Sequence, residues 1–219
     1  TSAVQAVIIN SDVSTTASVS VEAVADNAIN ANTVAVALSV AAGSGTVTLA
    51  GAIAGATAIN HIGGSTEALI NNGSIVDSGG TDDVLVNDSN TINSNVIAAS
   101  VAVSASSGSV SGSLAVSVSL AENTISGSTR ASVGSSDLIA VSDVTISNLT
   151  HNQIDAIAAS AAISVAASTS VGVSIAGAGS LARNVTSNEI EASILNDSFV
   201  DTGGVLAVTA VDSSSITAR

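Results

Sequence analysis

Between Val96 and Asn123 the chain alternates with a period of two. Val110, Gly112, Leu114, Val116, Val118 and Leu120 fall on one side, and Ser111, Ser113, Ala115, Ser117, Ser119 and Ala121 on the other. Just upstream, Ile97, Ala99, Val101, Val103 and Ala105 alternate with Ala98, Ser100, Ala102 and Ser104, and Ser106-Ser107-Gly108-Ser109 separates the two runs as a turn. Sustained alternation of this kind predicts β-strands. Similar runs return at Val34–Ala42 with Thr46–Ile59, and at Ile157–Ala178. Taken alone, Ile154–Ser168 also suits a helix, because Ala is the best helix former. Its Val, Ile, Ser and period of two favour strand.

Each predicted strand has one branched aliphatic face and one face of Ala, Ser and Gly. A strand wetted on one side normally carries long polar residues there. Residues 89–121 contain no charge, so the small face is expected to be covered as well. Small side chains let two sheets approach more closely than the usual ~10 Å. The aliphatic stripe Leu114, Val116, Val118 and Leu120 is expected to form the dry core.

The pattern repeats. An isolated Ile recurs at Ile29, Ile92, Ile154 and Ile216, spaced by 63, 62 and 62 residues, and these four are expected to be core positions. Asn60, Asn123 and Asn184 are spaced by 63 and 61, as are the starts of NGSIVDSGG, SSDLIAVSD and NDSFVDTGG. Three anchors agree on a repeat of about 62 residues. The chain divides into a partial repeat at 1–45, repeats at 46–109 and 110–168, and a partial repeat at 169–219. The expected fold is all-β, a parallel β-solenoid without capping repeats, which would continue into further repeats or stack end to end with another copy. AENTISGST aligns with SDVTISNLT at an offset of 21. A coil of about 21 residues and one of about 62 therefore both remain open. For the Asn anchors two roles stand side by side: amide ladders along the stack, or turn positions that tolerate left-handed backbone.

Composition narrows the function. The chain is 46% hydrophobic but only 9% charged, with one Phe and no Pro, Cys, Met, Trp or Tyr, whereas ordinary domains carry about 25% charged residues. The net charge is -14, and Arg130, Arg183 and Arg219 stand far apart. Nucleic acid, which needs clustered cations, is excluded as a partner. The apolar runs fall short of the ~20 residues of a membrane helix, and the aromatic girdles of a membrane barrel are missing, so membrane insertion is not expected.

Candidate chemistry is sparse, and no enzyme is expected. His61 and His151 are the only histidines. Ser is so abundant that pairing His151 with a Ser and an Asp carries no information. A carbohydrate-cleaving β-helix would need clustered acids beside a basic residue, and Arg130 and Arg183 are not visibly so placed. Asp77, Asp82 and Asp83, with Asp88 nearby, surround a Gly pair and offer several oxygens for calcium, the one cofactor the sequence suggests. The alternative is a solvated turn whose carboxylates guard the edges. Thr46-Val47-Thr48 has the form of an ice-binding Thr-x-Thr unit, but it occurs once.

The aliphatic/small alternation, the A-x-N-x-I/V anchor (AINHI, AENTI, ARNV) and the turn followed by VLV, VTI or LAV resemble the repeat regions of giant bacterial surface proteins, the β-strand-repeat or filamentous-haemagglutinin-like adhesins. The likeness covers essentially all 219 residues. It implies a secreted parallel β-helical fibre on a bacterial surface, acting as the shaft of a filament or adhesin. A surface that binds glycans or another cell is the rival expectation.

Overall fold

The computed structural model describes residues 2–219, which form thirteen strands. In chain order these are β1 (Ser2–Ile9), β2 (Asp12–Thr15), β3 (Val19–Gly43), β4 (Val47–Asn71), β5 (Ile75–Ser78), β6 (Asp82–Ser106), β7 (Val110–Gly134), β8 (Asp137–Ala140), β9 (Val144–Ala167), β10 (Val171–Leu195), β11 (Phe199–Thr202), β12 (Leu206–Asp212) and β13 (Ser215–Ala218). They pair in parallel into three sheets. The first is β1-β4-β7-β10, the second β11-β8-β5-β2, and the third β12-β9-β6-β3, with β13 also on β9.

The protein is a parallel β-solenoid. The chain runs out along a long strand of the third sheet, turns, returns along a long strand of the first, crosses through a four-residue strand of the second, and starts again one layer on. The register measures the coil. Val19 pairs with Asp82 and Asp82 with Val144, while Val47 pairs with Val110 and Val110 with Val171. One turn therefore takes 61–63 residues, and the 21-residue offset compares strands on two different sheets. A strand of 25 residues spans about 80 Å, so each coil is wide and thin.

Local chemistry fixes the corners. Asn10, Asn72, Ser135 and Asn196 recur where the first sheet hands over to the second, with φ of 47°, 59°, 47° and 55°. Asn is among the residues that enter this left-handed region most readily. The recurring Gly pair has another cause. A Cβ on Gly79 would lie 2.5 Å from the Thr16 carbonyl oxygen of the neighbouring coil, so Gly at this turn lets it stack on a turn that carries Thr16.

The coil has two halves with opposite packing. Near the second sheet, which we call the body, Val76, Val84, Val86, Val133, Leu138, Val144 and Ile146 face inward and are sealed from solvent. Beyond a knot of Ile92, Ile125 and Ile154 the two long sheets continue alone as a fin. There the inward residues are Ala98, Ala102, Ala115, Ser100, Ser104, Ser117 and Ser119. Ser117 donates its hydroxyl to the Ala161 carbonyl across the fin at 2.8 Å, and Ser113 and Ser164 hydroxyls meet at 2.6 Å. A Ser side chain reaches a facing backbone only when two sheets lie well inside the usual ~10 Å spacing.

This corrects the expected core. Leu114, Val116, Val118 and Leu120 face outward: Leu114 and Val118 are 41% and 53% exposed, and Val116 and Leu120 are half-buried. The reason is strand parity. Strand β7 runs 25 residues without interruption, and Val133, Ala131, Ile125 and Asn123 in the body and knot put odd positions inside. The even-numbered aliphatic residues of the fin then point out, because successive side chains on a strand take opposite faces. Among the Ile anchors, Ile92 and Ile154 are fully buried and Ile29 is half-buried. Ile216 is 47% exposed on β13, an outermost strand.

Candidate functional site

Where body meets fin, the interior turns polar, and this belt is the most elaborate side-chain arrangement in the protein. Asn27, Asn90 and Asn152 occupy one column of the third sheet. Asn27 Nδ2 donates to Asn90 Oδ1 at 2.8 Å, and Asn90 Nδ2 to Asn152 Oδ1 at 2.9 Å. On the first sheet, Asn60 Nδ2 donates to Asn123 Oδ1 at 2.7 Å and Asn123 Nδ2 to Asn184 Oδ1 at 2.8 Å. The Asn anchors are thus ladder residues within strands, one amide bonding the next coil. Each buried amide is satisfied by its neighbours along the stack, so removing one orphans those above and below it.

Asp88 sits in this belt, 5% exposed. Thr66 Oγ1 donates to its Oδ1 at 3.0 Å and Asn90 Nδ2 to its Oδ2 at 2.5 Å. Across the fold, Asn148 Nδ2 donates to the carbonyls of Thr129 and Glu191 at 2.8 and 2.9 Å, tying two coils of the first sheet to one side chain of the third. A cavity of about 20 Å³ lies against Asp88, Asn90, Thr66, Thr129 and Gly127, enough for about one water molecule. The belt is built to hold coils together. A signal for its third-sheet column is in the sequence, since Asn27, Asn90 and Asn152 recur at 63 and 62.

The calcium candidates do not converge. Asp82 and Asp83 are adjacent on β6, so their side chains take opposite faces; Asp82 is 1% exposed, Asp83 half-buried and Asp77 exposed. Among the described residues no group of three or more acids and histidines is placed to hold a metal ion. Asp82 instead stands in an aliphatic column between Val19 and Val144. Both of its carboxylate oxygens are buried without a hydrogen-bond partner. Burial raises its pKa above the ordinary carboxylate value, with the charges of Asp83 and Asp77 adding to the effect. Ser78 and the Val19 backbone favour the charged form but reach no proper hydrogen-bond geometry.

The remaining candidates disperse over the surface. Arg130 pairs with Glu191 at 3.4 Å and Arg183 with Glu122 at 2.5 Å, both across neighbouring coils. His61 is exposed, and His151 Nδ1 lies 3.0 Å from the Ser213 hydroxyl. Thr48 faces inward and stacks on Ser111, while Thr46 lies in the turn, so these two residues form no Thr row.

Two outer features remain. A groove of about 350 Å³ is lined by Asn30, Asn32, Asn93, Asn95, Asp155 and Ile157; Asn93 donates to Asn30 at 2.8 Å and Asn95 to Asn32 at 3.4 Å. Both broad faces of the fin are aliphatic, with Val36, Leu38, Leu49 and Ile53 at least 70% exposed. Compared with family models, with curated proteins and with solved structures, the chain matches none.

Proposed function

We propose that the protein is a structural shaft, a stretch of solenoid that spans distance in an extracellular filament or adhesin on a bacterial surface. The observation that carries this reading is the stacking itself. Asn60, Asn123 and Asn184 repeat the same interaction in successive coils, and the most elaborate polar cluster in the fold is spent on cohesion between coils. A stacked solenoid adds stability by nearest-neighbour contact, so length accrues coil by coil, whether the next coil comes from the same chain or from another copy.

Electron cryomicroscopy of the chain joined in tandem copies tests this reading. The expected result is a rod that lengthens by about 4.8 Å for each added coil. Particles that fail to lengthen with copy number would remove the shaft. Immunogold labelling of intact cells tests the location: label at the outer surface is expected, and label confined to the cytoplasm would contradict it.

A second reading rests on the Asn30/Asn93 and Asn32/Asn95 rows. Amides and Asp155 beside the apolar Ile157 offer the donors, acceptors and flat apolar contact that a surface glycan would take. A glycan array that returns hits lost in Asn93→Ala would favour it over the plain shaft.

A further inference from the structure

The outer face of the first sheet in the fin carries five glycines, Gly51 and Gly55 on β4, Gly112 on β7, and Gly177 and Gly179 on β10. A Cβ on Gly112 would lie 2.8 Å from Leu49 Cδ2, whereas a Cβ on any of the other four meets nothing within 4 Å. At those four positions the single chain therefore has no steric need of Gly, although Gly weakens a strand and often marks close approach by another backbone or ligand. Each of the four lies next to a large residue in its column: Gly51 beside Leu114, Gly55 and Gly179 on either side of Val118, and Gly177 beside Val116. The face is a field of notches among aliphatic knobs. The outer face of the third sheet differs. Leu38, Val101 and Ile163 stack in one column and Val40, Val103 and Val165 in another, forming continuous ridges.

Neither face carries a charge over this span. The aliphatic field on β4, β7 and β10 measures about 33 Å along the strands and three strands across, on the order of 500 Å². That is at the upper end of what monomers leave exposed, and it occurs on both sides of the fin. A fluid lipid phase gains only from apolar area, which Val would supply better than Gly. A rigid facing sheet gains from notches.

We propose that the notched first-sheet face of the fin docks the ridged third-sheet face of a second copy of this chain, so that fins stack side by side. This goes beyond the shaft reading and stands without it, because axial growth uses strand edges and lateral growth uses sheet faces. One such face is smaller than the ~800 Å² that each partner gives to a standard interface. The contact of this length is therefore weak, and it strengthens with every added coil.

Sedimentation velocity up to hundreds of micromolar tests it with two variants. One fills the notches (Gly51→Val, Gly55→Val, Gly177→Val, Gly179→Val). The other charges a ridge (Leu38→Lys, Val101→Glu, Ile163→Lys), with alternating signs so that stacked neighbours attract. Thermal unfolding monitored by circular dichroism confirms that both fold, the notch-filled variant at or above the wild-type temperature. The expected result is an open-ended concentration-dependent series for the wild type and at least tenfold weaker association for each variant alone. Their equal mixture should give a closed one-to-one pair, because each retains the face the other lacks. Three outcomes overturn the proposal: a monomeric wild type, equal association of all three proteins (contact through the strand ends alone), or a mixture that forms no pair. Flotation with phosphatidylcholine vesicles, stronger for the notch-filled variant than for a monomeric wild type, would assign the face to lipid instead.

Discussion

Body and fin are built from the same two strands per coil, yet they solve opposite packing problems. In the body Val, Ile and Leu fill the space between sheets that the second sheet holds apart, and polar side chains face water. In the fin no third sheet separates the layers, and Ala and Ser let them close together with the aliphatic residues outside. Cohesion differs accordingly. The body gains from the area it buries, about 25 cal/mol per Å² of apolar surface. The fin gains mainly from backbone ladders and close contact, and it seals the hydroxyls of Ser100, Ser104, Ser111 and Ser119 without a hydrogen-bond partner. A coil thus has a strong end and a weak end joined by the Asn belt.

Substitutions can break or sharpen this contrast. The largest effect is expected from Ile92→Ala in the knot, a loss of about 2–5 kcal/mol in urea unfolding, the usual cost of emptying a core Ile. Val101→Ala on the outside of the fin should shift stability by less than about 0.5 kcal/mol, as surface changes do. Equal losses at the two sites would erase the distinction. Next comes Ala115→Leu, which wedges the closed sheets apart and should cost about 1–3 kcal/mol. Insensitivity there would mean that the fin is loosely packed.

The body has one flaw of its own. Asp82→Val should stabilise by about 1–3 kcal/mol, because the variant removes a buried polar group without a partner and matches the Val19 and Val144 columns. The linked pH effect has a definite sign. The folded pKa of Asp82 is raised above 3.8, so between these two values the native state holds more protons than the unfolded chain. Stability contributed by this group falls as pH rises through that window, and the penalty is complete above the folded pKa. Asp82→Asn should therefore gain most over the wild type near neutral pH and lose that advantage in acid, measured by urea unfolding across pH. A constant difference would mean that the carboxyl is not buried. The smallest expected effect is at Ser119→Ala, a gain of about 1 kcal/mol from deleting an orphaned hydroxyl; a loss would reveal a partner for it.

The repeat was legible because stacking demands it. Ile29, Ile92 and Ile154 pair in direct register, as do Asn60, Asn123 and Asn184, so spacing along the chain reported spacing between coils. The direction of the fin faces was not legible from alternation alone. A period of two defines two faces and leaves open which looks inward, since a shift of one residue exchanges them. Putting the larger aliphatic residues inside is sound for an isolated strand and fails here, because parity is inherited from Ile92 and Val84 through an unbroken strand. Counting even positions onward from Ile92 puts Ser94, Val96, Ala98 and Ser100 inside. Asp82 and Asp83 illustrate the same point: proximity in sequence suggested a shared cation, while strand geometry sends them to opposite sides.

The inverted fin is the central claim, and the absence of Cys from the chain gives it a clean test. Single variants Leu114→Cys, Ala115→Cys, Ser117→Cys and Val118→Cys would be exposed to a thiol-reactive dye in dilute native solution, with the unfolded chain as reference. The structure predicts rapid labelling at 114 and 118 and strong protection at 115 and 117. Protection at 114 and 118 with free labelling at 115 and 117 would put the aliphatic stripe back in the core and contradict the account.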